Sequence, residues 1–524
     1  MILQDTIDNI CASTKNTFTL LFRQRFIMIQ KRHFLIYCAL IGYSVVCYAQ
    51  QPLQFNNKDF YSIRINGEQV GFRATCTIEK NNLYKTEMLE VMYINRAGNI
   101  LRVITKEIYN ETINGKPISF QIDKKMPNHS LCYSGQIQNN EMRLVANQLG
   151  KSNEVIYPWD KNALFPKAFI RHQKNKGFRS GTTYTTKQYF PGIDLSRAIE
   201  TKHTIIGPEK TTIMDKNIEA IKVERIISGF DSYPQYEWVD SDGNLLKAHV
   251  DFKGTKIDTI LCSKREALSV DFLNLPEVFA KTLTPVPQEF RDRERIKKIT
   301  LAIQATNKTE GFTIPVSVSQ KAHIEDDVLI IELLEHQSPV NLAITLNQES
   351  AYRKANTFID YHDPNIVDLV DRAGISNCSP WSKAKKLVGY VNRLIKTKDL
   401  STSIATASEI SRQLQGDCTE HAILLAALLR AVGLPSRVVC GLQYIPQYSD
   451  ETDMWGGHMW TQVNINNQWY DLDASLGQVG SRFDRIAFSC SSLEEGFSET
   501  KIMFPLILIE GKRNIEVISV QHKE

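Results

Sequence analysis

Three side chains, Cys418, His458 and Asp473, have the types and spacing to do nucleophilic chemistry. In "GDCTEHAILLAALLRAVG", Asp417 and Glu420 stand three residues apart in a capping pattern, which makes Cys418 the first residue of a helix. The positive end of the helix dipole there favours thiolate, so a pKa lowered from about 8.5 towards neutrality is expected. The free N–H groups of the same turn could hold an oxyanion. A thiol nucleophile also needs a base, and His458 in "HMWTQVNI" can accept and return its proton, with Asp473 in "QWYDLDAS" fixing the imidazole tautomer. Acyl transfer is the chemistry such a set supports.

The elements that must position these groups are also legible. A two-residue turn at Asn466-Asn467 makes a hairpin that sets Trp460 opposite Asp473 and Gln462 opposite Asp471. His458 is then the diagonal neighbour of Asp473, about 7 to 8 Å away in backbone terms. Asp471 shares the face but lies further from His458, and it becomes the orienter if the register shifts. His421, three residues after Cys418, is a second candidate base, although it falls near the buried face. The nucleophile helix is expected to bury Ala422, Leu425, Leu428, Leu429 and Val432 and to stop at Gly433. Upstream, "DPNIVDLVDRAG" and "SPWSKAKKLVGYVNRLIKTK" carry Pro364 and Pro380 at first-turn positions, and a shorter helix runs through Ala407, Ile410 and Leu414. Trp460 and Trp469 read as packing and pocket walls, and Cys440 as core.

The blocks "GDCTEHAILLAALLRAVGLPSRVVCGLQY", "HMWTQV" and "WYDLDASLG" resemble, in order, the core of the transglutaminase-like superfamily, especially its secreted bacterial members. The resemblance spans roughly residues 355 to 495. It implies a papain-like fold and a Cys-His-Asp triad at Cys418, His458 and Asp473. One departure lies in "RFDRIAFSCSSLEEG", where relatives often have His before the strand and this chain has Arg485; outside the triad, it reads as a local variation.

The rest of the 524-residue chain sets the context. Residues 52 to about 265 alternate apolar and polar around turn signals such as Asn66-Gly67, Asn114-Gly115, Asp242-Gly243 and Pro191-Gly192, so they read as strands. "KKITLAIQA", "TIPVSVSQ" and "VLIIELLE" suggest a second, smaller β unit. The expected class is α+β, with a β-rich domain at 50–285, a small β unit at 286–354 and the catalytic domain at 355–524. With 62 basic against 58 acidic side chains, nothing argues for nucleic acid or an anionic membrane. Residues 1–49 read as an upstream extension and a signal peptide: from Met28, the probable start, a basic group at Lys31, Arg32 and His33, an apolar run to Tyr48 and a small Ala49 make a leader cleaved after Ala49. Export to the periplasm or cell surface is therefore expected; a leader left uncleaved would be the only membrane contact. Seven of the 10 cysteines follow the leader, an odd number; none stands in a CxxC pair, and no D-x-D-x-D-G loop is present, so no cofactor or metal is expected. Cys378 and Cys490 could pair.

Together these features predict an exported thiol enzyme acting on a protein or peptide substrate. A protease or amidase is one form and a cross-linking transglutaminase another, since acceptor choice is not written in the triad. The third reading is a binding or scaffold protein that retains the fold.

Overall fold

A computed structural model describes residues 58–523, apart from 97–98, 127–128, 149–150, 232, 253, 278–282, 305–313, 327, 337, 340–349, 398–404, 449–450 and 495–514. The leader expected over residues 1–49 lies outside the described residues.

Alternating side chains and tight turns build the first part of the chain into one 15-stranded sheet. The strand Asp59–Ile65 lies in its middle, paired with Glu68–Lys80 on one side and Thr255–Cys262 on the other. Positive φ at Asn66, Gly67, Gly115 and Gly243 confirms those turn signals, whereas Pro191-Gly192 sits in an irregular stretch between strands rather than at a hairpin tip. The two edge strands, Lys151–Pro158 and Ala163–Leu164, are separated by four residues, so the sheet must curl to bring its edges within roughly 18 Å. Phe120, Tyr133, Met142, Trp159, Phe165 and Tyr189 fill the inside of that curl. Helix α1 (Pro166–Lys176) follows the crossing, with its first N–H groups at Lys167 and Ala168 donating to Glu111, and α2 (Lys264–Ala267) ends the region.

A four-stranded sheet has the order Gln320–Glu325, Val328–Leu334, Ile296–Gln304, Ile515–His522. Two expectations change here. Of "TIPVSVSQ", residues 314–319 are irregular and the ladder starts only at Gln320, because Pro315 removes a donor and Val318 gives its N–H to the Trp469 carbonyl of the neighbouring sheet. The small β unit is also completed by a strand from the far end of the chain.

Between these lie α3 (Pro364–Arg372), α4 (Pro380–Leu394), α5 (Ala407–Gln413) and α6 (Cys418–Ala431), packed on a sheet ordered Gln478–Val479, Gln468–Asp473, Glu451–Ile465, Ser436–Tyr448, Arg485–Ser491. Helix α6 is buried on every side from Glu420 to Arg430, not on one face, because three helices and two strands surround it. Each of its leucines stabilises this arrangement by about 1.5 to 3 kcal/mol. Among the described residues strands account for 54% and helices for 17%, so the molecule is strongly β-rich where the α+β class was expected. No helix among the described residues is long and apolar enough to cross a membrane.

Gly441, paired with His458, permits the closest approach in this sheet: a Cβ there would lie 2.0 Å from the Ile486 carbonyl oxygen and 2.9 Å from the Trp460 ring. Gly441→Ala should lower stability by about 1 to 3 kcal/mol in urea unfolding. An unchanged midpoint would show that the strands are not packed this tightly.

Candidate active site

The start of α6 is built as its sequence dictates. Asp417 accepts from the Thr419 N–H at 2.8 Å, and Glu420 Oε2 accepts from the Asp417 N–H at 2.8 Å, a reciprocal capping box that begins the helix at Cys418. Gly416 is held at φ +148°, and a Cβ there would strike the Glu420 side chain at 2.4 Å, so the turn requires glycine. The helix ends at Ala431, with Gly433 at φ +79°.

Cys418 is half-buried, and its sulfur accepts the backbone N–H of Met459. The expected lowering of its pKa is not found. Burial, then the Asp417 charge, push the thiol well above its ordinary value, and the Met459 N–H only partly opposes them. The helix dipole is outweighed first by burial and then by the Asp417 carboxylate that caps the helix. At rest the centre therefore holds a thiol.

The hairpin has the expected register. Its ladder runs from Thr461↔Leu472 through Gln462↔Asp471 to Ile465↔Gln468, around Asn466 and Asn467 at φ +55° and +59°. His458 Nε2 donates to Asp473 Oδ2 at 2.7 Å. A carboxylate can only accept, so the proton sits on Nε2, and Nδ1 is left as the basic nitrogen of the neutral ring. The imidazole stacks on Trp460 with centroids 6.1 Å apart. Asp473 is almost wholly buried, and its Oδ1 accepts from Ser475 Oγ at 2.7 Å and the Leu476 N–H at 3.1 Å. Burial alone would raise this carboxyl, but His458, Arg485 and Ser475 together hold it well below the usual carboxylate range.

The alternatives are occupied elsewhere. Asp471 Oδ1 accepts from Trp460 Nε1 and Gln462 Nε2, both at 2.7 Å, and its Oδ2 accepts the Ser319 hydroxyl. It anchors the indole beneath His458 and does not touch the imidazole. His421 is buried and donates from Nδ1 to the Asp417 carbonyl at 2.6 Å, tied to its own helix turn. Trp469 is a wall, stacked under Arg437 at 4.1 Å, and Cys440 is core. No disulfide joins any two of the seven described cysteines, so Cys378 and Cys490 are not bridged. Among the described residues no group of three His, Cys, Asp or Glu side chains converges on a metal position.

Arg485 corrects a further expectation. It is no peripheral variation: its NH1 donates to Asp473 Oδ2 at 3.0 Å, the same oxygen that His458 uses. The signal was a lone arginine opening a strand after Asp484, and nothing local ties that residue to Asp473. The Met459 amide and Ser475 were missed likewise, as backbone groups and short hydroxyls carry no pattern of their own.

Residues 371–474 match the family model described as the transglutaminase-like superfamily, so the chain carries a transglutaminase-like domain there, after a β-rich N-terminal region. Among solved structures, a β-barrel-like protein of a domain of unknown function from Brucella abortus is 13% identical, covering 39% of this chain and 96% of its own, with a TM-score of 0.32. A candidate cysteine protease from Cytophaga hutchinsonii is 11% identical over 44% of this chain and 85% of its own, TM-score 0.25. A candidate protease from Parabacteroides distasonis is 12% identical over 69% and 68%, TM-score 0.17. At these values none of the three transfers an activity. No curated protein matches the chain.

Glu420 offers a test of the turn beneath Cys418. Fully buried beside Asp417, its carboxyl is pushed well above the usual range by burial first and the Asp417 charge second. A raised carboxyl gives stability that is fully present below the unfolded pKa of about 4.3 and is lost as pH rises towards the folded value. Glu420→Gln keeps the shape without ionising, so its advantage in Tm over the wild type should grow from pH 4 to pH 8. An equal Tm difference at both pH values would mean that Glu420 is ionised in the fold.

Proposed function

We propose that the protein is an exported thiol-dependent hydrolase of peptide or amide bonds, with Cys418 as nucleophile, His458 as general base and acid, and Asp473 as orienting carboxylate. The single observation that carries the reading is the His458 Nε2–H bond to Asp473, which leaves Nδ1 basic, next in sequence to the Met459 amide that holds the Cys418 sulfur. Because burial keeps the resting group a thiol, the proton passes to His458 Nδ1 as the sulfur attacks the carbonyl carbon. The C–N bond then breaks, the amine leaves with that proton, and a thioester remains. Water attacks the thioester while His458 takes its proton; the acid is released and the thiol regains its hydrogen. The Thr419, Glu420 and His421 N–H groups are taken by Asp417, so of the first turn of α6 the Cys418 N–H is the donor assigned to the oxyanion.

Export, to the periplasm or cell surface, rests on the leader pattern of residues 28–49. The division into a β-rich domain at 50–285, a small β unit at 286–354 and a catalytic domain at 355–524, whose strand Ile515–His522 joins the sheet of the small unit, belongs to the same reading, as does a protein or peptide substrate.

Incubation with a peptide library, with and without a primary amine, followed by mass analysis, tests the reaction. Hydrolysed products unchanged by amine are expected; amine adducts as the main product would replace hydrolysis by cross-linking. Cys418→Ala should abolish turnover with little change in Tm, and Asp473→Asn should lower kcat/KM by about 10²- to 10⁴-fold. Product formation that survives Cys418→Ala would remove the thiol mechanism. A protein that binds peptides yet turns none over would be the scaffold.

A further inference from the structure

Asp473 Oδ2 serves two cations. His458 Nε2 reaches it at 2.7 Å and Arg485 NH1 at 3.0 Å, and both Arg485 and Asp473 have side chains only 1% exposed. Arg485 is itself fixed: NH2 donates to Gln478 Oε1 at 3.0 Å and to the Gly480 carbonyl at 2.6 Å, and Nε lies 3.5 Å from Asp484. Its guanidinium stands 5.8 Å from the Trp460 ring, the same ring on which His458 stacks. A permanent, desolvated cation thus touches the orienting carboxylate and the platform of the base.

We infer that Arg485 is a positioning residue that shares the Asp473 carboxylate with His458 and so sets the pH range over which Cys418 becomes reactive. This rests on the triad reading given above. The Arg485 NH1 bond to Oδ2 holds Asp473 in place when the imidazole turns, and its charge neutralises part of the carboxylate's. With the sulfur held as a thiol by burial, its proton moves only during attack. The other groups facing this centre are Asp484, Asp471 and His336 around Arg485, and Asp417 and Glu420 around Cys418. Asp417, Glu420 and Asp473 all oppose a thiolate at Cys418, and Arg485 is the permanent cation that offsets Asp473.

Removing a cation raises the pKa of every neighbouring group, so the sign does not depend on which proton is lost first. The measurement is the rate of iodoacetamide alkylation of Cys418 against pH, read by mass on the Cys418 peptide, in the full chain and in Arg485→Gln and Arg485→Lys. Arg485→Gln should move the midpoint up by about one pH unit or more, and Arg485→Lys should return most of that shift. An unmoved midpoint in folded Arg485→Gln, or a Lys variant no better than Gln, overturns the inference and leaves Arg485 a structural strut. Should Arg485→Gln not fold, Asp473→Asn and the double variant Asp473→Asn/Arg485→Gln carry the test. The single variant, which keeps the cation, must then have a midpoint about one unit below the double, and equal midpoints overturn the inference. Alkylation needs no substrate, so this result is separate from the peptide assay with Cys418→Ala, which alone decides the acyl-transfer reading.

Discussion

The buried carboxylate of Asp473 is the constraint on which the arrangement around Cys418 depends. All of its acceptor capacity is used: one oxygen takes His458 and Arg485, the other takes Ser475 and the Leu476 amide. A charge this far from water is tolerable only when it is fully hydrogen-bonded and neutralised. That requirement dictates the orientation of His458, hence which ring nitrogen is basic. It also explains why the strand opening at Arg485 and the turn carrying Gln478 and Gly480 close over the hairpin end: they supply and fix the second cation.

Around that carboxylate the two halves of the centre are tuned in opposite senses. On the hairpin side, positive groups hold Asp473 ionised. On the helix side, a capping box places Asp417 beside the sulfur and a buried Glu420 under it, and burial makes both Cys418 and Glu420 favour their neutral forms. A cap that stabilises a helix start thus works against the dipole at the residue it introduces. The net result is a thiol on the helix side and an imidazole oriented by Asp473 on the hairpin side.

The neighbouring sheets act on this centre through a few polar contacts. Gln320 of the four-stranded sheet exchanges hydrogen bonds with both the carbonyl and the N–H of Ala487, and Ser319 donates to Asp471, which in turn holds the Trp460 indole. Contacts of this kind are long-range in sequence, and they give the small sheet a hand in placing the platform beneath His458. The core is continuous as well, running from Phe165 and Tyr189 inside the curled sheet to the leucines of α6.

Local chemistry was enough to locate the start of α6, the hairpin turn and its register, and with them the facing positions of His458 and Asp473. Capping, turn geometry and strand alternation act within a few residues, so they leave a readable pattern. It was also enough to show a β-rich N-terminal region, since alternation and Asn-Gly turns are local signals. Four things needed the folded chain: the all-round burial of α6, the engagement of Asp471 with Trp460 and Ser319, the second cation on Asp473, and the rise of the Cys418 thiol where a fall was expected. Each depends on desolvation and on partners brought from elsewhere in the sequence. A charge's environment is the sum over everything that excludes water from it, and no short stretch of residues contains that sum.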